Sequence, residues 1–436
     1  MTTPADSPEA EGTPPAEAPA AEAPSTHTPE AGTPQSDSPE RDTPPAEAAP
    51  RKRRRTWLRV LGVVVSLVLL AGAGVSWYVY KQLDGNIRTD TDTAHELMRV
   101  QSERPTVLPE ATTAENILLL GSDDRGNGNG KYGQDTGTQR SDTAILLHLA
   151  ADRQTATAVS LPRDLMVDIP SCRRADGSMT NPQFAQFNWA FEFGGAACTI
   201  RTVEKLTGIR VDHHLVVDFN GFKKMVDAVD GVEVCVPHAV HDQDAHLDLE
   251  AGRQVLRGEQ ALGYVRARKG IGDGSDTQRM DRQQQFLASL VQKVDSTGVL
   301  LNPAKLYPLL DAATSSLTAD EGLDSLAELY ELAQSLRKTP TDQVRFLTVP
   351  RRPYTADPNR DELVQPASDE LFTTLREDGQ VTVEGDGDSG SGSPRPTDGG
   401  TSTAPPASPT PSGSASASPS YRGTTADRDV CGGSGD

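Results

Sequence analysis

Aromatic residues make up only 5% of this 436-residue chain, and it has just four cysteines. The first fifty residues hold no aromatic and hardly any large aliphatic side chain, being built from Pro, Ala, Glu, Thr and Ser. Residues 385–427 are mostly Gly, Ser, Pro, Thr and Ala. Such segments cannot bury enough apolar surface to offset the entropy of ordering their backbone, so both ends are expected as disordered tails. A basic excess is missing too: 42 Lys and Arg stand against 62 Asp and Glu, for a net charge of −20. With no aromatic-interleaved basic patch and no zinc-finger spacing, nucleic acid is excluded as a partner. No C-x₂-C spacing occurs, which argues against a structural zinc site. No internal repeat is found.

Long hydrophobic runs are absent with one exception. In "RKRRRTWLRVLGVVVSLVLLAGAGVSWYVYK" no charge appears between Arg59 and Lys81, a stretch long enough to cross a hydrocarbon core. Trp57, Trp77, Tyr78 and Tyr80 sit at its two ends, where aromatic belts belong, and no polar face interrupts it. The five basic residues Arg51 to Arg55 precede it and are expected to keep that side cytoplasmic. A signal-peptidase site at Ala71–Ala73 is the weaker reading, because the apolar run continues past it. The sequence therefore divides into a cytoplasmic tail (1–56), a single membrane helix (57–80), an extracellular stem (81–112), one sizeable outer domain (113–382) and a Gly/Ser/Pro-rich tail (383–436). Cys172, Cys198, Cys235 and Cys431 then face a compartment where disulfides persist, with three pairings open.

Within 113–382 short apolar runs alternate with helical patterns. "NILLLG", "TAILLHL", "TATAVSL", "LMVDIP", "HLVVDF", "VEVCVP" and "QVRFLTVP" read as strands. "CTIRTVEKLTGI" and "NGFKKMVDAVDG" read as helices closed by Gly208 and Gly231, and further helices are expected over about 276–295, 302–316 and 321–337. The mixture implies a mixed α/β domain with a central sheet flanked by helices.

Four pieces carry chemistry: "GSDDRG" directly after a strand, "RSDTAI" directly before one, "LPRDL" where Pro162 stops a strand, and "RARKGIGDGSDTQRMDRQQQF". Strand ends are where α/β domains assemble sites. Singly, each of the first three has a plain structural reading as a turn, a cap or a surface ion pair. The fourth gathers Arg266, Arg268, Lys269, Arg279 and Arg282 in an acidic chain. If a helix begins near Ser275 or Asp276, stepping back from Phe286 and Leu287 reaches Gln283 and then Arg279, so Arg279 lies above the buried face. Arginine sits badly in a helix's first turn unless an anion shares the space. "YVRARK" reads as strand-like, with Arg266 and Arg268 on one face. An ion-pair network with Asp273, Asp276 and Asp281 is the plain alternative. The histidines at 213, 214, 238, 241 and 246 lack metal spacing and are expected as surface or capping residues.

In order, "ILLLGSDDRG", "RSDTAILLHL", "VSLPRDLMVDIP", "FNWAFEFGG", "TGIRVDHHLVVDFNGFKKMVDAVDGVEV", "ALGYVRAR" and "GSDTQRMDRQQ" resemble the LytR-CpsA-Psr family of Gram-positive envelope enzymes, from about Glu115 to Leu375. The resemblance implies an α-β-α domain behind one membrane helix. It also implies a Mg²⁺-dependent phosphotransferase that moves a glycopolymer from a polyprenyl-pyrophosphate carrier in the cytoplasmic membrane onto peptidoglycan. By that resemblance Asp123 and Asp142 are the metal-associated aspartates, and Arg140 and Arg163 face the phosphates. Arg266 and Arg268 match an R-x-R pair, while Asp276, Arg279 and Gln283 match D-x-x-R-x-x-x-Q. Asp123, Arg140, Arg163 and Arg279 are the expected catalytic set. Many members carry lysine where Gln186 stands, and Lys269 is one substitute for that cation. The insert "NGNGKYGQDTGTQ" separates the first two motifs.

A pyrophosphate diester needs charge on its leaving phosphate neutralised, which arginines and one Mg²⁺ supply by electrostatic preorganisation. Carboxylates such as Asp123 and Asp142 suit a hard cation. Asp123, Asp124 and Asp164 are all candidates for the general base. Val216, Phe219, Phe222, Val226 and Leu262 could line a lipid pocket or serve as ordinary core. Two other functions use the same residues: hydrolysis of polyprenyl pyrophosphate, and regulatory binding of polyprenyl phosphate without turnover. Metal carboxylates favour catalysis, since a pure binder needs none.

Overall fold

The computed structural model describes residues 51–122, 141–267 (except 244), 276–296, 303–384 and 420–431 (except 430). The chain divides into two units, residues 1–67 and 68–436, with the boundary inside helix α1 (Arg51–Asp84). The described part of the first unit is the leading portion of that helix. Its segment Thr56–Asp84 is long and apolar enough to cross a membrane, and its Trp, Leu and Val side chains from Trp57 to Trp77 are exposed.

The second unit begins with the rest of α1 and continues through β1 (Arg88–Thr89), α2 (Thr91–Arg99), β2 (Glu115–Ser122), β3 (Ser141–Leu149), β4 (Ala156–Leu161), β5 (Met166–Ile169) and β6 (Gln183–Gln186). Next come α3 (Trp189–Thr207), β7 (His213–Asp218), α4 (Phe219–Ala228), β8 (Val232–Val236), β9 (Val240–Asp242), β10 (Leu247–Leu249), β11 (Gly252–Leu256), α5 (Gly258–Arg266) and α6 (Asp276–Ser296). The chain closes with α7 (Pro303–Thr314), β12 (Leu317–Ala319), α8 (Leu326–Lys338), β13 (Val344–Thr348), β14 (Arg351–Tyr354), β15 (Asp357–Leu363), α9 (Ala367–Arg376), β16 (Thr382–Glu384) and β17 (Ser420–Thr425).

A nine-stranded mixed sheet runs β1-β12-β7-β2-β3-β4-β13-β17-β16. Strand alternation explains its two covered faces. Leu118 and Leu120 of β2, Leu146 of β3 and Val159 of β4 point to one side, against Ile200 and Val203 of α3 and Leu371, Phe372 and Leu375 of α9. Ile117, Ile145 and Ala158 point to the other, against Leu287 and Ala288 of α6 and Leu329 and Leu332 of α8. Each fully buried leucine contributes roughly 1.5–3 kcal/mol, so both faces are needed. The expected α-β-α arrangement is therefore present. A third cluster joins α4, α5 and β8–β11 to Phe286 of α6.

Three expectations are corrected. Residues 81–112 are no free stem. Leu83 is buried, Asp84 accepts from the Leu326 amide at 3.2 Å, β1 pairs with β12, and Arg104 forms a buried ion pair with Glu204 at 2.6 Å. Residues 383–436 are not a structureless tail throughout, because β17 pairs with β13 on one side and β16 on the other. "YVRARK" is not a strand: Tyr264–Arg266 close helix α5, whose Ala261, Leu262 and Tyr264 are buried.

The disulfides pair Cys172 with Cys198 and Cys235 with Cys431. A Cβ on Gly194 would stand 2.7 Å from the Arg173 carbonyl and 3.0 Å from the Cys198 Cβ, so this glycine lets α3 approach the first bridge. Gly208 ends α3 with φ of 66°, the left-handed cap its position requires.

Candidate active site at one end of the central sheet

Four adjacent strands bring position 142 and Arg163 to one end of the sheet. β2 and β7 run parallel, with Ser122 opposite Asp218. β3 runs antiparallel to β2, so its first residues meet the end of β2. β4 finishes at the same end, and Arg163 follows two residues beyond Leu161. Asp123 directly follows Ser122 but, with Asp124, Arg140 and Arg268, lies outside the described residues.

Asp142 occupies an irregular position in β3. Thr143 pairs with Gly121 and Ser141 with Ser122, which leaves residue 142 as the extra residue of a bulge. Bulges re-aim side chains and are common beside active sites. Among the described residues no group of three His, Cys, Asp or Glu side chains suited to a metal occurs.

Arg163 donates from Nε to Asp164 Oδ2 at 3.1 Å. The other oxygen of Asp164 accepts from Gln186 Nε2 at 2.6 Å, and Arg360 Nη1 of β15 stands 3.6 Å from it. Where the family resemblance leads to a lysine at position 186, this chain thus has a neutral amide with an arginine from a different hairpin beside the same carboxylate. Sequence reasoning missed Arg360, whose approach depends on a bridge between Leu165 and Asp361 that no local pattern reveals.

Arg266 ends α5, and its guanidinium carbon lies 4.5 Å from the centre of the Phe219 ring. Phe219 follows Asp218 at the end of β7, so this stacking brings Arg266 to the same sheet end. Arg279 is buried on α6, 6% exposed, as its spacing from Phe286 requires. Asp276 opens that helix. Three polar side chains fix where α6 crosses. Gln284 donates to Ser160 Oγ of β4 at 3.2 Å and to Thr348 Oγ1 of β13 at 2.7 Å. Gln283 donates to the Val265 carbonyl at 3.0 Å, which ties α6 to the turn carrying Arg266. Arg282, also 6% exposed, donates to the Ala267 carbonyl. Burial depresses the Arg282 guanidinium below its ordinary range, while neighbouring Tyr264 and Asp281 favour its charge. Arg282 was counted in the basic cluster but given no role; a step of three from Arg279 finds it on the same buried face.

Of the candidate lipid-lining residues, Phe219, Val226 and Leu262 are buried, Val216 is partly buried, and Phe222 packs against Phe286 with ring centres 5.5 Å apart. His213 is half-buried, and His214 is not a surface residue. His214 is 2% exposed and bonds Asp90 at 3.1 Å. His213 bonds Asp320 at 3.0 Å, which raises its pKa against the opposing effect of burial.

Arg163 thus stands just past β4 and Arg266 at the end of β7, while buried Arg279 rides on the helix tied to β4 through Gln284 and to α5 through Gln283. Comparison with known proteins agrees with the motifs. The LytR_cpsA_psr family model matches residues 78–377. A probable cell wall biosynthesis protein LcpB of Corynebacterium glutamicum is 36% identical over 233 residues, 52% of this chain and 53% of that protein. LcpA of the same organism is also 36% identical, over 55% of this chain and 50% of its own length. This chain thus spans about half the length of these curated relatives. A polyisoprenyl-teichoic acid–peptidoglycan teichoic acid transferase TagU of Enterococcus faecalis is 29% identical over 67% of this chain and 88% of that one. Protein gbs0355 of Streptococcus agalactiae has the same fold, with a TM-score of 0.50 and 20% identity over 63% of this chain and 92% of that one. The chain belongs to the LytR_cpsA_psr family.

Proposed function

We propose that this protein is a phosphotransferase that moves a glycopolymer from a polyprenyl-pyrophosphate carrier onto peptidoglycan. The observation that supports the reading is Arg163 just past β4 and Arg266 stacked on Phe219 at the end of β7, with buried Arg279 on the helix tied to the same strand and turn. Relatives named as teichoic acid transferases and cell wall biosynthesis proteins support it.

In the reaction, an acceptor sugar hydroxyl attacks the phosphorus nearest the glycopolymer. A new P–O bond forms to that hydroxyl oxygen, the bond to the bridging pyrophosphate oxygen breaks, and polyprenyl phosphate departs with the bonding pair. Arg163, Arg266 and Arg279, with Arg140 and Arg268 from the same motifs, hold the phosphates and neutralise the charge that develops on the leaving group. Arg279 gains most from its burial, because a guanidinium shielded from water acts on phosphate more strongly than an exposed one. Asp123 and Asp142 would hold Mg²⁺, which when bound supplies further charge neutralisation at the phosphates. Arg163 and Gln186 each donate to one oxygen of Asp164, so its carboxylate positions the Arg163 guanidinium; Asp123, Asp124 and Asp164 are the candidate groups to receive the acceptor's proton. Arg51–Arg55 ahead of the apolar helix favour a cytoplasmic N-terminus and an external domain.

The test uses the full chain in nanodiscs with a polyprenyl-pyrophosphate-linked oligosaccharide and soluble peptidoglycan oligomers, with and without Mg²⁺. A sugar-phosphate–peptidoglycan product that requires Mg²⁺ and is lost in Arg279→Ala establishes the reading. Release of free polyprenyl phosphate without coupled product replaces it with a hydrolase, and tight lipid binding without turnover replaces it with a regulatory binder.

A further inference from the structure

Beside Asp164 the domain keeps an aromatic surface that none of its three cores uses. In hairpin β5–β6, Val167 and Ala185 pair and point inward, both buried. The outward face therefore carries Met166 opposite Gln186 and Asp168 opposite Phe184. Phe184 is 52% exposed. Its ring centre lies 6.0 Å from that of Tyr354, at the end of β14, with the planes inclined at 59°. Gln186, two residues from Phe184 on the same face, makes the 2.6 Å bond to Asp164. One strand thus runs from the aromatic pair to the neighbour of Arg163 over about 7 Å.

The charges around this strip decide what it fits. Arg352 pairs with Glu362 at 2.7 Å, Arg360 stands between Asp164 and Asp357 at 3.6 and 3.7 Å, and Asp168 is exposed opposite Phe184. Cations and carboxylates alternate, so no single-sign field attracts a polyanion or an anionic membrane surface. Flat rings rimmed by both donors and acceptors suit a neutral chain of pyranose units, whose C–H faces stack on aromatics while hydroxyl and amide groups pair at the rim.

We propose that Phe184 and Tyr354, with Asp168 and the Arg352–Glu362 pair at their rim, form the subsite that holds the acceptor glycan strand and orients its hydroxyl toward Arg163. This rests on the transferase reading for the identity of the acceptor, but binding to the strip is measurable without turnover.

The experiment uses the full chain in neutral-lipid nanodiscs. Binding of a soluble peptidoglycan oligosaccharide is measured by calorimetry without donor, and binding of polyprenyl pyrophosphate is measured separately, for wild type, Phe184→Ala/Tyr354→Ala and Phe184→Trp. We expect the double alanine variant to weaken oligosaccharide binding at least about tenfold, with donor binding within about twofold, and the tryptophan variant to bind like wild type. In turnover assays the same loss should enter the acceptor KM and spare kcat. Unchanged oligosaccharide binding in the double variant, or equal loss of donor binding, overturns the proposal. So does wild-type capture by anionic vesicles that the double variant loses, since the strip would then be a membrane surface. Oligosaccharide binding that depends on the strip, without any transfer by wild type, keeps the subsite and removes the transferase reading.

Discussion

Arg422 Nη2 of strand β17 lies 3.1 Å from Asp281 Oδ2 on helix α6, two residues from Arg279 and one from Arg282. The last described strand of the chain thus grips the helix that carries the buried arginines. Its register explains how: Phe346 of β13 pairs with Thr424, and Val383 of β16 pairs with Tyr421. Beyond β17, Asp429 pairs with Arg253 at 3.0 Å and Cys431 bridges to Cys235.

Magnitudes decide which of these contacts matters for stability. Arg422 is 61% exposed at its side chain, and such ion pairs contribute only about 0–1 kcal/mol. The Cys235–Cys431 bridge spans a sequence separation of 196 residues, and cross-links over long loops typically contribute about 2–5 kcal/mol. We expect Arg422→Ala to unfold near the wild-type urea midpoint, Cys235→Ser/Cys431→Ser well below it, and a chain ending at residue 384 lowest, since it also bares β13. Equal midpoints for the truncated and intact chains would show that β17 contributes nothing.

Arg279 and Arg282 are equally buried and should differ in what their loss does. Arg282 binds a backbone carbonyl at Ala267, so Arg282→Ala strands that acceptor and loosens the α5–α6 connection. Arg279 is the arginine of the D-x-x-R-x-x-x-Q pattern and faces the anion site in the transferase reading. We expect Arg279→Ala to cost at least about a hundredfold in turnover with little change in Tm, and Arg282→Ala to lower Tm and turnover together. A thermal melt beside a turnover assay separates them; matching losses of Tm would place Arg279 in the scaffold instead.

The interior of the sheet was legible in the sequence because "NILLLG", "TAILLHL" and "TATAVSL" are apolar on both faces, and both faces are covered. Arg279 was legible because helix periodicity from Phe286 fixes which side it takes. "YVRARK" was misread since four residues of alternation cannot separate a strand from the end of a helix; burial of Ala261, Leu262 and Tyr264 settles it only in three dimensions. Strand β17 was hidden by composition. "SYRGTT" has one aromatic, Tyr421, and follows a Gly/Ser/Pro-rich run, so its order comes from pairing with strands far away in sequence. Arg360 and the Asp142 bulge were invisible for the same reason, both being products of register between strands.

Asp142→Ala removes the carboxylate at the bulge while leaving the arginines intact. Turnover in the presence of Mg²⁺ should fall below detection, with polyprenyl pyrophosphate bound only modestly more weakly by calorimetry. Asp142→Asn keeps the shape and most hydrogen bonding, so it should be equally inactive if the carboxylate charge is what counts. Full turnover in either variant would remove Asp142 from the proposed metal set.

His148 supplies a pH dependence whose sign is fixed by its surroundings. The ring is 3% exposed, with Nδ1 against Asn116 Oδ1 at 2.8 Å and Nε2 against Asp378 Oδ1 at 3.0 Å. Burial lowers its pKa from the ordinary 6.5, outweighing the opposing pull of Asp378. The unfolded chain then binds a proton more readily than the folded one, so this histidine's contribution is fully present above pH 6.5 and is lost as pH falls toward the folded pKa. His213 has the opposite shift, through its bond to Asp320, and its contribution declines as pH rises above 6.5. The comparison must therefore be between wild type and His148→Asn, in which His213 is common to both. Urea midpoints measured from about pH 7.5 down to about pH 5 should fall more steeply for wild type than for the variant. Parallel profiles would mean that His148 takes up its proton equally in the folded and unfolded chain, with Asp378 cancelling the effect of burial.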